Sequence, residues 1–320
     1  MRRRAVATRV AGGLAAMFAI GLAGCAFVGP QTAALRRRLP VELPPQIEWT
    51  DVPFVAQTPL HCGPAALAMV LRHLGRDVDA ETLAGAVFLP ARGGSLQSEM
   101  LAGTRRYDAL AVPIAPTLEA LLRELAAGHP VVVLQNLGLA MAPQWHYAVA
   151  VGYDTRDETL LLRSGLERRQ VMVWRTFEHT WARSGHWAFV ALAPGALAAT
   201  ADETTTAQAA VAFERVAPPA SATRVYDAML QRWPESLVAA IGAGNARATA
   251  GDLDGAQRAF EAAASRHDSA AAWNNLAMLR WQRGDVAGAR EAVSRAERRV
   301  SAAEPAFAAA VHATRRTIGP

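Results

Sequence analysis

The hydrophobic pattern of this chain changes near residue 195, and that change limits the folds open to it. Before it, segments with apolar residues at three- and four-residue spacing come first, and short segments rich in Val, Leu and aromatic residues follow. After it, the chain is rich in Ala and has almost no strand signals. The pattern predicts an α+β domain over residues 46–195, with helices packed on an antiparallel sheet, and then a linker and an all-α domain over residues 196–320. A length of 320 residues fits two domains.

Periodicity also places the individual elements. The predicted helices cover residues 65–74, 80–88, 95–107, 117–127 and 177–183. The predicted strands cover residues 131–135, 146–153, 159–163, 170–174 and 186–192. Residues 25–45 contain four prolines and no helical periodicity, which predicts a tether ahead of the first domain.

The C-terminal part repeats itself at a spacing of 33 residues. Gly251-Asp252 followed by Ala256 is echoed by Gly284-Asp285 followed by Ala289. This resembles the tetratricopeptide repeat, in which small residues let two antiparallel helices approach closely and bulky residues fill the gap between them. Three such units, with residues 305–316 as a capping helix, reach the usual minimum for a stable array. An unrelated Ala-rich helical bundle is the alternative.

The N-terminus has the features of a targeting segment. Four arginines precede an apolar stretch at residues 10–22, and Leu22-Ala23-Gly24-Cys25 resembles the bacterial lipobox. The resemblance implies a signal peptide over residues 1–24 and a lipid on Cys25, which would hold the protein in the membrane. Because Ala26 rather than Asp follows Cys25, we expect an outer-membrane lipoprotein facing the periplasm of a Gram-negative bacterium. A plain signal peptide or an uncleaved anchor is the alternative.

Cys62 has no partner for an intramolecular disulfide if Cys25 carries a lipid, since the chain has only two cysteines. Gly63-Pro64 indicates that a helix begins beside it, and the positive end of that helix should favour a thiolate. Gln57, five residues upstream, is neutral and carries two amide hydrogens. It could complete an oxyanion hole with the backbone N–H of Cys62.

A base for such a thiol must come from the histidines. His61 adjoins Cys62 at a helix entrance, where neighbouring side chains diverge, and His73 and His129 lie at the end of a helix and in a turn. His146 and His186 each begin a predicted strand, where an imidazole is held firmly near the surface. We favour His146, because further strands follow it and can supply an orienting residue; His186 is the alternative.

Several motifs follow one another in a fixed order over residues 47–193. They are Gln57, Cys62-Gly63-Pro64-Ala65-Ala66-Leu67-Ala68-Met69-Val70, His146-Tyr147-Ala148-Val149 and Gly152-Tyr153. In order and approximate spacing they resemble the peptidase C39-like family, papain-like domains that include bacteriocin-processing peptidases. The resemblance implies a papain-like cysteine peptidase fold, with Cys62 as nucleophile, His146 as general base and Gln57 as oxyanion donor.

The chain departs from the family at the residue that orients the base. Where the family usually carries Asp at the end of the strand after the base, this chain has Ser164. Ser164 can accept a hydrogen bond from the imidazole but offers no charge to stabilise the imidazolium. Asp154 is another possible orienter, although its hairpin position favours a turn role.

Other classes of function find little support in the sequence. No phosphate-binding Gly-rich motif and no Cys/His metal set is present, so we expect no cofactor. The predicted signal peptide holds four arginines and no acid, so the formal net charge of +5 falls to +1 without it, and we expect no nucleic-acid partner. We expect a membrane-tethered cysteine peptidase that hydrolyses peptide bonds and recruits a protein partner or substrate through its repeats. The alternatives are a catalytically degenerate scaffold and an acyl or peptidyl transferase.

Overall fold

A computed structural model describes residues 28–58, 60–139 and 141–319. The predicted signal peptide and Cys25 lie outside these ranges. Within them, no helix has both the length and the apolar character needed to cross a membrane.

In the described part of the N-terminal half, six helices combine with seven strands. The helices are α1 (Pro30–Arg37), α2 (Cys62–His73), α3 (Ala80–Val87), α4 (Gln97–Arg106), α5 (Leu118–Ala126) and α6 (Trp174–Ala182), with a 3₁₀ turn at Pro90–Arg92. The strands are β1 (Gln46–Glu48), β2 (Leu110–Pro113), β3 (Val131–Asn136), β4 (Trp145–Asp154), β5 (Thr159–Ser164), β6 (Glu167–Val173) and β7 (Ala188–Leu192). The described C-terminal part is helical: α7 (Glu203–Glu214), α8 (Pro219–Arg232), α9 (Leu237–Thr249), α10 (Leu253–His267), α11 (Ala270–Gln282), α12 (Val286–Ala302) and α13 (Ala308–Ile318), with a 3₁₀ turn at Pro305–Phe307. The predicted α+β domain followed by an all-α repeat region is confirmed.

One antiparallel sheet organises the first domain. Its strand order is β2-β7-β3-β4-β5-β6, and β1 pairs with the far end of β4. Strand β4 runs against β3, so that His146 is opposite Gln135, and the β4–β5 ladder shifts register between Ala150 and Gly152. Gly152 is required here because a Cβ atom would collide with the backbone of β1.

Alternation along the strands gives the sheet two apolar faces. Helices α2, α3 and α4 cover one face through buried residues such as Leu67, Leu83 and Met100. Helices α1, α5 and α6 cover the other, where Leu121 and Trp181 are fully buried. The sheet is therefore buried on both sides, and the helix that carries Cys62 belongs to one layer only.

Helix α1 lies within the predicted tether and corrects the expectation that this segment has no helix. The backbone N–H groups of Gln31 and Thr32 donate to the buried carboxylate of Glu178 on α6, at 2.8 and 2.7 Å. The partner of this helix start is 147 residues away in the sequence, so local periodicity could not reveal it. Residues 30–37 are thus part of the first domain.

The apolar core continues across residue 195. Phe213 of α7 and Tyr226 of α8 belong to the same buried cluster as the sheet residues Val112 and Val190. Buried Glu124 of α5 also accepts hydrogen bonds from the backbone N–H and the hydroxyl of Thr200 in the linker, at 2.7 and 2.6 Å. The linker and the first repeat helices are therefore packed against the first domain and hydrogen-bonded to it.

The 33-residue period corresponds to a repeated turn between paired helices. Gly251 and Gly284 both have a φ of +83°, which favours glycine, and each is followed by an Asp that caps the next helix. Helices α9 and α10 form one pair around the first turn, and α11 and α12 form the next. A Cβ atom on Gly244 of α9 would collide with the ring of Phe260 on α10. The tetratricopeptide-like packing of small against bulky residues is therefore present.

The sequence analysis contains no prediction for two strands of the first domain, and it places the start of a third two residues early. Strands β1 and β2 are too short, at three and four residues, to show a period. Strand β7 begins at Ala188 rather than at residue 186, because His186 has a φ of +59° and lies in the turn before the strand.

Candidate active site

Cys62 is the first residue of α2, and the helix begins there because Gly63 and Pro64 suit a first turn. Its thiol is half-buried and lies against the backbone N–H groups of Tyr147, Gly63 and Cys62 itself. These donors come from the helix start and from strand β4. They are placed to hydrogen-bond negative charge on the sulfur or on a group bound beside it.

The resting state of this thiol differs from the sequence expectation. Burial raises the pKa of the Cys62 thiol, and the surrounding backbone N–H groups offset only part of that effect. The expectation that the helix start would favour a thiolate is therefore wrong for this site. Desolvation of the sulfur between α2 and the sheet outweighs the helix end.

His146 is the second residue of β4, and its side chain contacts the neighbouring strand β5. Its Nε2 atom lies 2.9 Å from Oγ of Ser164, the last residue of β5. Burial lowers the pKa of His146, so the ring favours its neutral form. With Nε2 engaged by Ser164, Nδ1 is the ring nitrogen left to take a proton.

Gln57 is fastened to the hairpin that follows Ser164. Its backbone N–H donates to the carbonyl of Gly165 at 3.1 Å, and the N–H of Gly165 donates to its Oε1 at 3.0 Å. Its Nε2 donates to the carbonyl of Tyr147 at 3.2 Å. Gly165 has a φ of +59°, which its tight turn requires. These three hydrogen bonds fix the amide and leave one Nε2 hydrogen for a ligand.

A cavity of about 970 Å³ joins these side chains. Cys62, His146 and Gln57 all line it, so the structure brings the three predicted residues to one site. Its wall includes the loop from Arg92 to Leu96, which the sequence analysis missed. The only local signal in that loop is the Gly93-Gly94 pair, which indicates a turn without indicating what the turn faces.

The other candidate histidines have other surroundings. His186 packs its ring edge-on against Trp181, with 5.0 Å between centroids, and is not among the residues that line the cavity. Nδ1 of His73 lies 3.3 Å from Asp51, and Nδ1 of His129 lies 2.7 Å from Glu124. None of these three histidines is among the described residues that line the cavity.

Two further sequence alternatives are located by the structure. His61 contacts the Thr58 hydroxyl at 3.1 Å and packs edge-on against Phe88. Asp154 accepts hydrogen bonds from the backbone of residues 156 and 157, which makes it a turn residue. Across the described ranges, no three His, Cys, Asp or Glu side chains lie close enough to hold a metal ion.

The two parts of this chain are similar to different known proteins. Residues 49–189 match the model of the Peptidase_C39 like family. A structure from Bacillus anthracis described as a C39-like peptidase is 22% identical over 46% of this chain and 97% of its own, with a TM-score of 0.39. The peptidase domain of Streptococcus ComA, a bifunctional ABC transporter, is 16% identical over 44% of this chain and 98% of its own, with a TM-score of 0.36.

The helical part is similar to a different set of structures. The type III secretion translocator chaperone SycD of Yersinia enterocolitica is 18% identical over 36% of this chain and 90% of its own, with a TM-score of 0.34. No curated protein sequence matches the chain significantly. Over residues 49–189 this chain is therefore similar to the Peptidase_C39 like family.

Proposed function

We propose that this protein is a cysteine peptidase with Cys62 as nucleophile, His146 as general base, Gln57 in the oxyanion hole and Ser164 as the orienting residue. The observation that carries the proposal is one cavity lined by Cys62, His146 and Gln57, in which Ser164 holds the imidazole from behind. A free thiol, a neutral base and fixed N–H donors are the components that acyl transfer to sulfur needs.

The pKa directions set the order of proton transfers. With a neutral thiol and a neutral ring, Nδ1 of His146 takes the Cys62 proton as the sulfur attacks the peptide carbonyl. The carbonyl oxygen becomes an oxyanion, which the backbone N–H of Cys62 and the remaining Nε2 hydrogen of Gln57 stabilise. The imidazolium then gives its proton to the departing amine as the C–N bond breaks, and a thioester remains on Cys62.

Hydrolysis of the thioester repeats these steps with water. His146 takes a proton from the water as its oxygen attacks the carbonyl carbon, and the C–S bond breaks as the sulfur regains a proton. The products are a peptide carboxylate and the starting enzyme. In both halves Nε2–H of His146 donates to Oγ of Ser164, which orients the ring without neutralising its transient charge.

The remaining parts of the proposal concern location and recruitment. A lipid on Cys25 would tether the protein to the outer membrane, facing the periplasm, as the lipobox-like sequence suggests. The helical repeats from α7 to α13 would recruit a protein partner or substrate, since such arrays expose extended surfaces that bind other proteins. Because α7 and α8 share the core of the sheet, a bound partner would be held at a defined position relative to the cavity.

Two alternatives remain, and the structure offers supporting observations for the first. A degenerate binding domain is favoured by Ser164 in place of a carboxylate and by the raised pKa of Cys62. An acyl or peptidyl transferase would use the same thioester, with an amine in place of water.

One experiment separates the three. The full chain is incubated with a peptide mixture in H₂¹⁸O, and products are read by mass spectrometry. A peptidase leaves ¹⁸O in new C-termini, a transferase joins peptides without ¹⁸O, and a scaffold gives neither. Cys62→Ala and His146→Ala should abolish the products, while His73→Ala, which changes a histidine at the far end of α2, should preserve them. Products that survive Cys62→Ala would exclude the proposed nucleophile.

A further inference from the structure

The loop between the 3₁₀ turn and α4 forms a fixed wall of the cavity. It is closed by a bridge between Leu89 and Gly94, and Gly93 takes a φ of +59° within it. The hydroxyl of Tyr147, next to the proposed base, donates to the backbone carbonyl of Ser95 at 3.2 Å. The wall is therefore held by the same strand that carries His146.

The Ser95 hydroxyl in this wall is a buried polar group without a described partner. Its Oγ atom is inaccessible to solvent and has no hydrogen-bond partner among the described residues. It lies against Gly63, where a Cβ atom would collide with it, and Gly63 directly follows Cys62. A buried hydroxyl without a partner costs free energy. Because Ser95 itself lines the cavity, rotation of its side chain to another staggered rotamer would let the hydroxyl pair with what the cavity binds.

The charged side chains that line the cavity are all basic among the described residues. Arg92 lines it, is exposed, and forms no ion pair with any carboxylate in the described ranges. Arg183 also lines it and donates to the backbone carbonyls of Asn136 and Gly138. None of the described lining residues is Asp or Glu. The cavity thus presents positive charge that no described acidic side chain of its lining balances.

The rim of the cavity is apolar. Four exposed side chains that line it are Leu60 (62% exposed), Leu96 (42%), Trp145 (53%) and Leu166 (79%). Exposed apolar side chains grouped at a cavity indicate a surface that a ligand covers.

From these observations we infer that the cavity selects acidic peptides: Arg92 pairs with a Glu or Asp side chain of the substrate, Ser95 hydrogen-bonds the peptide beside Cys62, and the apolar rim contacts the neighbouring side chains. This inference rests on the proposed function for its occupant, a peptide, and adds the chemical class. Arg92 and Ser95 are accordingly specificity residues, and binding through them needs no bond cleavage.

Binding is measured with the Cys62→Ala chain, so that the result does not depend on turnover. Fluorescent peptides of Leu and Ala carry one Glu at each position in turn, with Gln and Lys counterparts, and binding is followed by anisotropy. We expect the best Glu peptide to bind about fivefold more tightly than its Gln counterpart, the size expected for one exposed ion pair. Equal affinity for Glu, Gln and Lys peptides would overturn the inference, whether or not the wild-type chain cleaves peptides.

Two substitutions in the Cys62→Ala background assign the residues. Arg92→Gln should remove the preference for Glu, while Arg156→Gln, the same charge change in the exposed β4–β5 hairpin, should keep it. Ser95→Ala should weaken every peptide about fivefold and leave the thermal midpoint unchanged or higher, since it removes a hydroxyl without a described partner. A preference that survives Arg92→Gln, or Ser95→Ala binding equal to that of the parent, contradicts the corresponding assignment.

Discussion

The Nε2 atom of His146 lies 2.9 Å from the hydroxyl oxygen of Ser164. The two residues come from the start of β4 and the end of β5, which are neighbours in the sheet. Ser164 can fix the orientation of the ring but cannot supply the negative charge that would hold it protonated. Burial of the ring, which lowers the pKa of His146, therefore acts together with a neutral partner to favour the neutral imidazole.

This contact predicts opposite results for two substitutions of Ser164. Ser164→Ala should lower kcat about tenfold, because the ring loses the partner of Nε2. Ser164→Asp should retain or raise kcat, because a carboxylate orients the ring and stabilises the imidazolium. The check is steady-state peptide cleavage with both variants. Ser265→Ala, an exposed serine of α10, is the matched control and should leave kcat unchanged. If neither substitution of Ser164 changes kcat, Ser164 does not orient His146.

A substitution of Gln57 tests whether its Nε2 donor belongs to the oxyanion hole. Gln57→Glu keeps an oxygen that can accept from the Gly165 N–H but loses the Nε2 donor. We expect kcat to fall about 100-fold, the usual cost of removing one oxyanion donor. Gln208→Glu, at an exposed position of α7, introduces the same charge away from the cavity and should keep full kcat. If both variants cleave peptides equally well, Gln57 is not an oxyanion donor.

The pH dependence follows from the two pKa directions. The pKa of His146 is lowered by burial, so the neutral base persists into mildly acidic solution and is lost only as the pH falls through that lowered value. We expect the acid limb of kcat/KM to have its midpoint below about 6.5. Ser164→Asp should move this midpoint upward, because a carboxylate favours the imidazolium.

Alkylation of Cys62 by iodoacetamide gives the complementary measurement. The pKa of the thiol is raised by burial, so the reaction rate should climb at a higher pH than for an exposed thiol. Fast alkylation at acidic pH that disappears in His146→Ala would instead reveal a preformed ion pair, and would contradict the neutral resting state.

The repeat packing predicts opposite effects for the same substitution at two glycines. Gly244→Ala places a methyl group against the ring of Phe260 and should destabilise the chain by about 1–3 kcal/mol. Gly85→Ala, in α3, meets no atom within 4 Å and should stabilise by about 0.5–1 kcal/mol. Chemical denaturation with urea measures both. Equal changes of the same sign would mean that Gly244 has no packing role.

The hydrogen bonds of Glu124 to the linker lead to a prediction about stability. Burial alone would raise the pKa of its carboxyl, but hydrogen bonds from His129, Thr200 and Ala199 lower it overall. Its contribution to stability is therefore present at neutral pH and lost as the pH falls through this lowered pKa. Glu124→Ala should cost about 3 kcal/mol, because it leaves several buried donors without a partner. Glu119→Ala, on the exposed face of α5, should cost about 0.5 kcal/mol.

Helices with strong local periodicity were placed by sequence to within a few residues. The predicted helix at 80–88 is Ala80–Val87, and the one at 117–127 is Leu118–Ala126. Helix α1 was missed because Glu178, its capping partner, is distant in sequence. The cavity wall that contains Ser95 was missed for a related reason. The Gly93-Gly94 pair predicts a turn, but it does not indicate which distant residues that turn contacts.

By itself, the sequence determined the two kinds of domain, the order of the motifs and the identity of Cys62, His146, Gln57 and Ser164 as the residues to examine. Local periodicity and motif spacing carry that information, because helices, strands and tight turns depend mainly on neighbouring residues. Only the tertiary structure decided that the thiol is too desolvated to favour a thiolate, that Gln57 is fixed to Gly165, and that α7 and α8 share the core of the sheet. Burial and hydrogen bonding between distant segments set these properties, and the local sequence of either segment does not predict them.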